Sequence, residues 1–237
     1  MKKGKISVTY ILHSGFLVET DQSYLLFDYW KGTLPPLDAA KKLYVFSSHN
    51  HHDHYTKEIF RLEHRCRETF YILSKDIKRS SSFWRIADIV CFLNPGECAD
   101  VSGCHVEAYY STDEGVAFLV DIDGYTLFHA GDLHWWDWPG EPEEENEQMR
   151  IDYCAQIDLL KDRHIDVAFV VVDPRQEGSG GWGLEYFADH VEADFVFPMH
   201  FWEDYAYVHR TYEGLKDHFK EGQFREINSR GQCFVLG

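Results

Sequence analysis

Between Lys5 and Tyr29 apolar residues come in three short bursts, Ile6 to Leu12, Phe16 to Thr20 and Tyr24 to Asp28, broken by Ser14-Gly15 and Asp21-Gln22-Ser23. Bursts of this length between turn formers read as strands, and three in succession predict a meander. Leu43-Tyr44-Val45-Phe46 is a further β-type run, too short for a helix. It leads directly into His49-Asn50-His51-His52-Asp53-His54, which places that cluster on a loop at the C-terminal end of a strand. Tyr55 to Arg65 has helical spacing at Ile59, Phe60 and Leu62. Strand-like segments follow at Thr69 to Leu73, Ile86 to Phe92, His105 to Tyr110, Val116 to Ile122 and Tyr125 to His129. Asp123-Gly124 joins the last two and is a hairpin signal.

The second half changes rhythm. Glu144 to His164 reads as an amphipathic helix with Met149, Tyr153, Ile157 and Leu160 on one face. Strand, helix and strand then alternate over Val167 to Val172, Leu184 to Glu192 and Phe195 to Phe197, before a helix at Tyr212 to Lys220 and strands at Phe224 to Ile227 and Cys233 to Leu236. Meandering strands followed by strands interleaved with helices predict an α/β (α+β) layered sandwich, sheets inside and helices outside. A chain of 237 residues, 44% of them hydrophobic and without a linker-like stretch, is expected to form one domain over 1–237.

The formal charge of −17 includes six acids and no base between Asp137 and Glu147. Such a surface repels phosphate backbones, so no nucleic-acid partner is expected. The six cysteines contain no C-x-x-C pair, and a chain of this size needs no disulfide framework, which points to reduced thiols in a cytoplasm. Met1 to Lys5 looks like the basic start of a signal peptide, but the apolar run that follows is only about seven residues long. Nothing approaches the ~20 apolar residues of a membrane span, so no membrane partner is expected either.

Four imidazoles and a carboxylate within six residues change the picture. On an extended segment His49, His51 and Asp53 project to one side, while Asn50 and His52 project away. Imidazoles at i and i+2 can chelate one ion, and the adjacent Asp53-His54 pair can hold a second. This mixture suits zinc, and also iron or manganese. The run is internal and interrupted, unlike an expression tag.

His49-x-His51-x-Asp53-His54 resembles the signature of the metallo-β-lactamase superfamily. His13-Ser14-Gly15-Phe16-Leu17-Val18, Leu25-Leu26-Phe27-Asp28 and His129-Ala130-Gly131-Asp132 look like segments of its ascorbate-6-phosphate lactonase-like branch, and Phe197-Pro198-Met199-His200 resembles the strand end carrying the last histidine ligand. The resemblance implies a four-layer αββα sandwich with the site at one edge of the sheets. It also implies one or two divalent ions: His49 and His51 at a first position, Asp53, His54 and His200 at a second, and Asp132 bridging both. Asp28 resembles an aspartate that supports the ligand loop, and His129 and His134 flank Asp132 as supporting groups or substitute ligands. In the related branch a third histidine of the first position lies in a segment like Ala-Trp-His-Ser; here the chain reads Ala108-Tyr109-Tyr110-Ser111. Tyr110 is therefore expected to stand in that ligand's place, with His129, His134 or Asp113 as the alternatives.

The chemistry expected of such a centre is hydrolysis of a lactone, ester or phosphoester in a small molecule by a metal-bound hydroxide, with Asp53 orienting or deprotonating the water. Two rivals stand beside it: a binding or regulatory protein with impaired chemistry and one metal or none, suggested by Tyr110, and a nuclease, opposed by the acidic surface. Gly178-Ser179-Gly180-Gly181 and His134-Trp135-Trp136-Asp137-Trp138 are candidate loops over the site. Self-association into a homo-oligomer is compatible with the sequence.

Overall fold

The structure is a computed structural model and describes residues 4–77 and 87–237. β1 (Ile6–Leu12), β2 (Gly15–Glu19) and β3 (Ser23–Phe27) form the expected meander, and β4 (Lys42–Ser47), β5 (Glu68–Ser74) and β6 (Val90–Leu93) extend it in parallel. With β13 (Cys233–Leu236) on the other edge, the order is β13-β1-β2-β3-β4-β5-β6. The second sheet runs β12 (Glu192–Met199), β11 (His164–Val171), β10 (Tyr125–His129), β9 (Val116–Ile122), β8 (Cys104–Tyr110), β7 (Cys98–Val101). In this sheet β10, β11 and β12 are parallel and the remaining pairs antiparallel.

Strand alternation sorts the first sheet onto two faces. Val8, Tyr10, Phe16, Val18, Leu25, Phe27, Tyr44 and Phe46 face the second sheet and share its core. Leu17, Leu26, Leu43, Val45, Tyr71 and Leu73 face outward into a separate cluster with Ile59 and Leu62. Between the sheets lies an aromatic layer in which Phe169 touches Phe16 (ring centroids 4.4 Å), Phe197 (5.6 Å) and Phe27 (5.9 Å). α1 (Glu143–Asp158), α2 (Trp182–His190) and α3 (Tyr205–Leu215) supply Tyr153, Ile157, Leu184, Phe187 and Val208 to the main core, completing the helical layer over the second sheet.

The sandwich matches the expected class, with local differences. Over the first sheet the segment read as a helix, Tyr55 to Arg65, is a 3-10 helix, Lys57–Leu62, capped by the Thr56 side chain on the Glu58 N–H. The predicted helix to His164 stops at Asp158, because a turn intervenes and His164 opens β11, seven of whose eight residues are buried. α3 begins at Tyr205, seven residues before the predicted Tyr212, where Asp204 caps it by accepting the Tyr207 N–H. Among the described residues Phe224 to Ile227 forms only one bridge, Phe224 to Val196, and β7 was not anticipated because its burial alternates weakly. Ile86 lies outside the described residues; the rest of its predicted strand begins with a 3-10 turn, Ala87–Ile89. Among the described residues no helix is long and apolar enough to cross a membrane.

If the aromatic layer holds the sheets together, Phe169→Ala should lower unfolding free energy by about 3–5 kcal/mol, a large core truncation. Val235→Ala, on an edge strand with 72% of the residue exposed, should stay within about 0.5 kcal/mol. Denaturant titration of both variants checks the contrast.

Candidate metal centre

The parallel strands of the two sheets end on the same edge of the sandwich, and their ends carry the polar residues. Asp28 follows β3, Ser48 and His49 follow β4, Asp132 comes just after β10, Asp173 after β11 and His200 after β12; His13 sits in the β1–β2 turn. His13, Asp28 and His200 all adopt left-handed backbone (φ 59°, 42° and 66°). Non-glycine residues pay for that conformation, and its concentration around one point marks a place where geometry has overruled local preference. Two glycines make room for the ligand loop. A Cβ on Gly115 would lie 2.0 Å from the Ser48 carbonyl oxygen, and one on Gly131 would lie 2.8 Å from Ser48 Cβ.

Asp28, fully buried, organises the histidines from behind. Its Oδ1 accepts the Ser48 N–H (2.7 Å), and its Oδ2 accepts the Ser48 hydroxyl (2.7 Å) and His54 Nδ1–H (2.8 Å). Since the Ser48 hydroxyl proton is given to Asp28, its oxygen accepts His49 Nδ1–H at 2.9 Å. On the other side Asp173 Oδ2 accepts His200 Nδ1–H at 2.9 Å. In all three rings the proton is thereby held on Nδ1, leaving the Nε2 lone pair directed inward.

Those Nε2 atoms meet Asp132, which is 3% exposed. His49 Nε2 is 3.3 Å from Asp132 Oδ2, while His54 and His200 Nε2 are 3.2 and 3.4 Å from Oδ1. The carboxylate thus turns one oxygen to His49 and the other to His54 and His200. His49 Nε2, His54 Nε2 and Asp132 Oδ1 are buried without a hydrogen-bond partner among the described residues. Lone pairs facing lone pairs in a buried place are costly unless a cation lies between them. The ligand atoms of His49, His54 and Asp132 lie within 4.8 Å of one another, as do those of His13, Asp53, His54 and His200, and those of His51, Asp113 and Asp132. These are compact enough for a divalent ion, and the imidazole–carboxylate mixture suits zinc, iron or manganese.

The charges respond to the same crowding. Burial would raise Asp132, yet His54, His200 and His49 hold it well below the ordinary carboxylate range. Burial also opposes charge on His49, but Asp132 and Asp28 push it up to about 9, so without an ion a proton on Nε2 takes the place between His49 and Asp132 that a metal cation would otherwise fill. His13 is pushed down to about 4, chiefly by burial and only partly offset by Asp53.

The structure brings His49, Asp53, His54, Asp132 and His200 together and places His51 at the mouth of the site, its ring 4.5 Å from that of His49. His52 is turned out, with 88% of its side chain exposed. It is turned out by a tight turn rather than by strand alternation, because the N–H groups of His54 and Tyr55 both donate to the His51 carbonyl. Tyr110 is not brought to the site. It is 59% exposed at the end of β8, beside Leu159 and Gly96, and the loop that follows carries Asp113 to the cavity instead. His129 spends both ring nitrogens elsewhere, Nε2 on the Ser14 carbonyl (2.9 Å) and Nδ1 on the Gly131 N–H (3.2 Å), and it stacks on Phe27. His134 points the other way, toward Gln176 Oε1 (2.7 Å) and Gly183, so neither acts as a substitute ligand in this arrangement.

Sequence reasoning missed His13 and Asp173. His13 is buried, has no hydrogen bond on either ring nitrogen among the described residues, and sits 3.5 Å from Asp53 with its ring 4.1 Å from that of His200. It lies in the His13-Ser14-Gly15-Phe16-Leu17-Val18 segment that carries the family resemblance, but as a lone histidine at a strand end it gives no local signal of a metal-binding role. Asp173-Pro174 after a buried strand was the only signal for Asp173. Above the centre opens a cavity of about 450 Å³, walled by Trp136, Trp138, Trp202 and Met149.

Residues 7–200 match the family described as the beta-lactamase superfamily domain, and the chain belongs to the metallo-β-lactamase superfamily. It is similar to Igni18, a metallo hydrolase from the hyperthermophilic archaeon Ignicoccus hospitalis (15% identity, TM-score 0.68, covering 98% of this chain and 99% of that one). It is also similar to the metallo-β-lactamase fold protein YhfI from Bacillus subtilis (14% identity, TM-score 0.60, 99% and 100%). A third likeness is to CmlA, a diiron β-hydroxylase from Streptomyces venezuelae (12% identity, TM-score 0.64), where all of this chain matches 54% of that one. At these identities the likeness is one of fold. No curated protein matches the sequence.

The supporting hydrogen bonds make a graded expectation. Asp132→Ala should abolish stoichiometric metal binding, His54→Ala should abolish binding at the position it shares with His200, and Asp28→Asn should weaken binding by about 10–100-fold, the usual cost of losing a group that orients a ligand. His52→Ala should match wild type. Zinc titration by calorimetry measures all four, and equal losses throughout would show the ligand assignment to be wrong.

Proposed function

We propose that the chain is a metal-dependent hydrolase acting on a lactone, ester or phosphoester bond of a small molecule, with zinc as its ion and chemistry of the lactonase-like kind. The observation that carries this reading is the set of three imidazole Nε2 atoms, of His49, His54 and His200, aimed at the buried Asp132 beneath an open cavity. A divalent cation there supplies Lewis acidity and, at neutral pH, a nucleophile drawn from water.

The remaining work falls to the chain's own residues. Asp132 turns an oxygen to each side of the cluster; a divalent ion would be held by His54, His200 and Asp53 with His13, and a second, if bound, by His49 and His51 with Asp113. Asp53 stands at the cavity floor, 8% exposed, with its carboxyl held below the ordinary range against the effect of burial by His13 and His54. An ionised carboxylate there can accept a proton from an attacking water and orient it. The indoles of Trp136, Trp138 and Trp202 exclude bulk water from the reacting bond and give an apolar body something to lie against. Six free cysteines fit a reducing cytoplasm, and the −17 charge favours a small-molecule substrate over nucleic acid.

Protein purified without chelator should carry metal and hydrolyse a panel of lactones, nitrophenyl esters and phosphodiesters. Dialysis against a chelator should remove at least about 90% of that activity, with zinc restoring it, because the centre makes the nucleophile at neutral pH. Hydrolysis that survives complete metal removal contradicts the reading.

A further inference from the structure

Arg175 is the only arginine or lysine lining the cavity above the metal centre among the described residues. It follows Asp173-Pro174 in a 3-10 turn capped by the Asp173 side chain, which accepts the Arg175 N–H. Its guanidinium is half used. Nε donates to Asp173 Oδ1 and Oδ2 (2.9 and 3.0 Å), and Nη2 donates to Oδ2 (2.5 Å), which fills the side-on edge of the planar fork. The end-on edge, the remaining N–H of Nη2 together with Nη1, has no partner among the described residues. Trp138 and Trp202 lie over the group, with ring centroids 5.5 and 5.0 Å from its central carbon. They pack against the group, and the end-on edge is the part of the fork left without a partner among the described residues.

An end-on guanidinium edge donates two parallel N–H bonds, a geometry that matches two oxygens of a carboxylate or phosphate. Its placement links it to the reacting centre, since Asp173 Oδ2 accepts from both Arg175 and His200. The surroundings otherwise repel anions: Asp53, Asp113 and Asp132 line the same cavity of a protein with a charge of −17. We infer that Arg175 determines specificity for a substrate that carries an oxyanion, a carboxylate or phosphate, on an apolar or aromatic body enclosed by Trp138, Trp202 and Met149. The inference deepens the hydrolase reading and rests on it: the scissile bond lies at the histidine cluster, and the anionic tail lies at Arg175.

The test uses zinc-loaded protein and three probes of similar size, 3-phenylpropionate, phenylphosphonate and the neutral 3-phenylpropanamide, titrated by calorimetry. Wild type should bind the better of the two anions about 10-fold or more tightly than the amide, the scale of a charge-assisted bidentate contact. The anion that binds better names the tail as carboxylate or phosphate. In Arg175→Gln the preference should fall to within about twofold, while Arg175→Lys, which keeps charge without the fork, should lie between. Because the amide reports general damage to the cavity, a merely structural Arg175 would weaken all three probes alike and leave the ratio unchanged. An unchanged ratio in Arg175→Gln overturns the proposal, as does a wild type without preference; anions bound by zinc alone would give the first result. Hydrolysis and metal content measured on the same wild-type preparation keep the two readings apart. An Arg175-dependent preference in a protein that hydrolyses nothing upholds the anion site and removes the hydrolase.

Discussion

The Asp28 carboxylate, walled off from water between the ends of β3 and β4, is the constraint on which the rest of the centre depends. Burial opposes its charge, and it stays ionised because the His129 and His54 rings stand beside it and hydrogen bonds from Ser48 and His54 reach its oxygens. Those bonds fix the tautomer of His54 directly and of His49 through the Ser48 hydroxyl. A buried carboxylate without these donors would be protonated or would unfold its surroundings, so the loop 48–54 and the strand end at Asp28 stabilise each other. The left-handed backbone at Asp28 is part of the same bargain, since it turns the side chain back under the loop.

Asp173 repeats this device on the second sheet, where it holds His200 and is itself held by Arg175. The two halves of the centre therefore come from different sheets, each with its own buried carboxylate, and they meet at Asp132. What keeps them in register is the aromatic layer of Phe16, Phe27, Phe169 and Phe197 beneath them. The Phe27 ring also stacks on His129, 5.0 Å away, so core and site share side chains. A packed core of this kind transmits displacement rather than absorbing it, which suits a centre whose donors must converge within a few tenths of an ångström.

Much of this was legible in the sequence, because the signals were local. Short apolar bursts between turn formers gave β1 to β3 nearly residue for residue, and Asp123-Gly124 gave the β9–β10 hairpin. The density of histidines at a strand end gave the ligand loop. What was not legible depends on contacts between distant segments. His13 looks like an interrupted strand until the chain folds it against His200, and Asp173 becomes a partner only when β11 and β12 lie side by side. Tyr110 shows the converse: aligned by its place before the loop, it ends in solvent, and Asp113, three residues on, reaches the cavity. The helix ends were misplaced for a related reason, since periodicity continues through a turn that tertiary burial of β11 and the cap at Asp204 actually decide.

The central claim is that the convergence of imidazole Nε2 atoms on Asp132 is an ion site. Anomalous scattering from crystals grown without chelator, collected on both sides of the zinc absorption edge, tests it most directly. The account requires an anomalous peak enclosed by Asp132, His54 and His200, and allows a second between Asp132, His49 and His51. Fully occupied crystals with no peak at Asp132, or with one only at a distant cluster such as His164, Asp166 and Asp194, would contradict it.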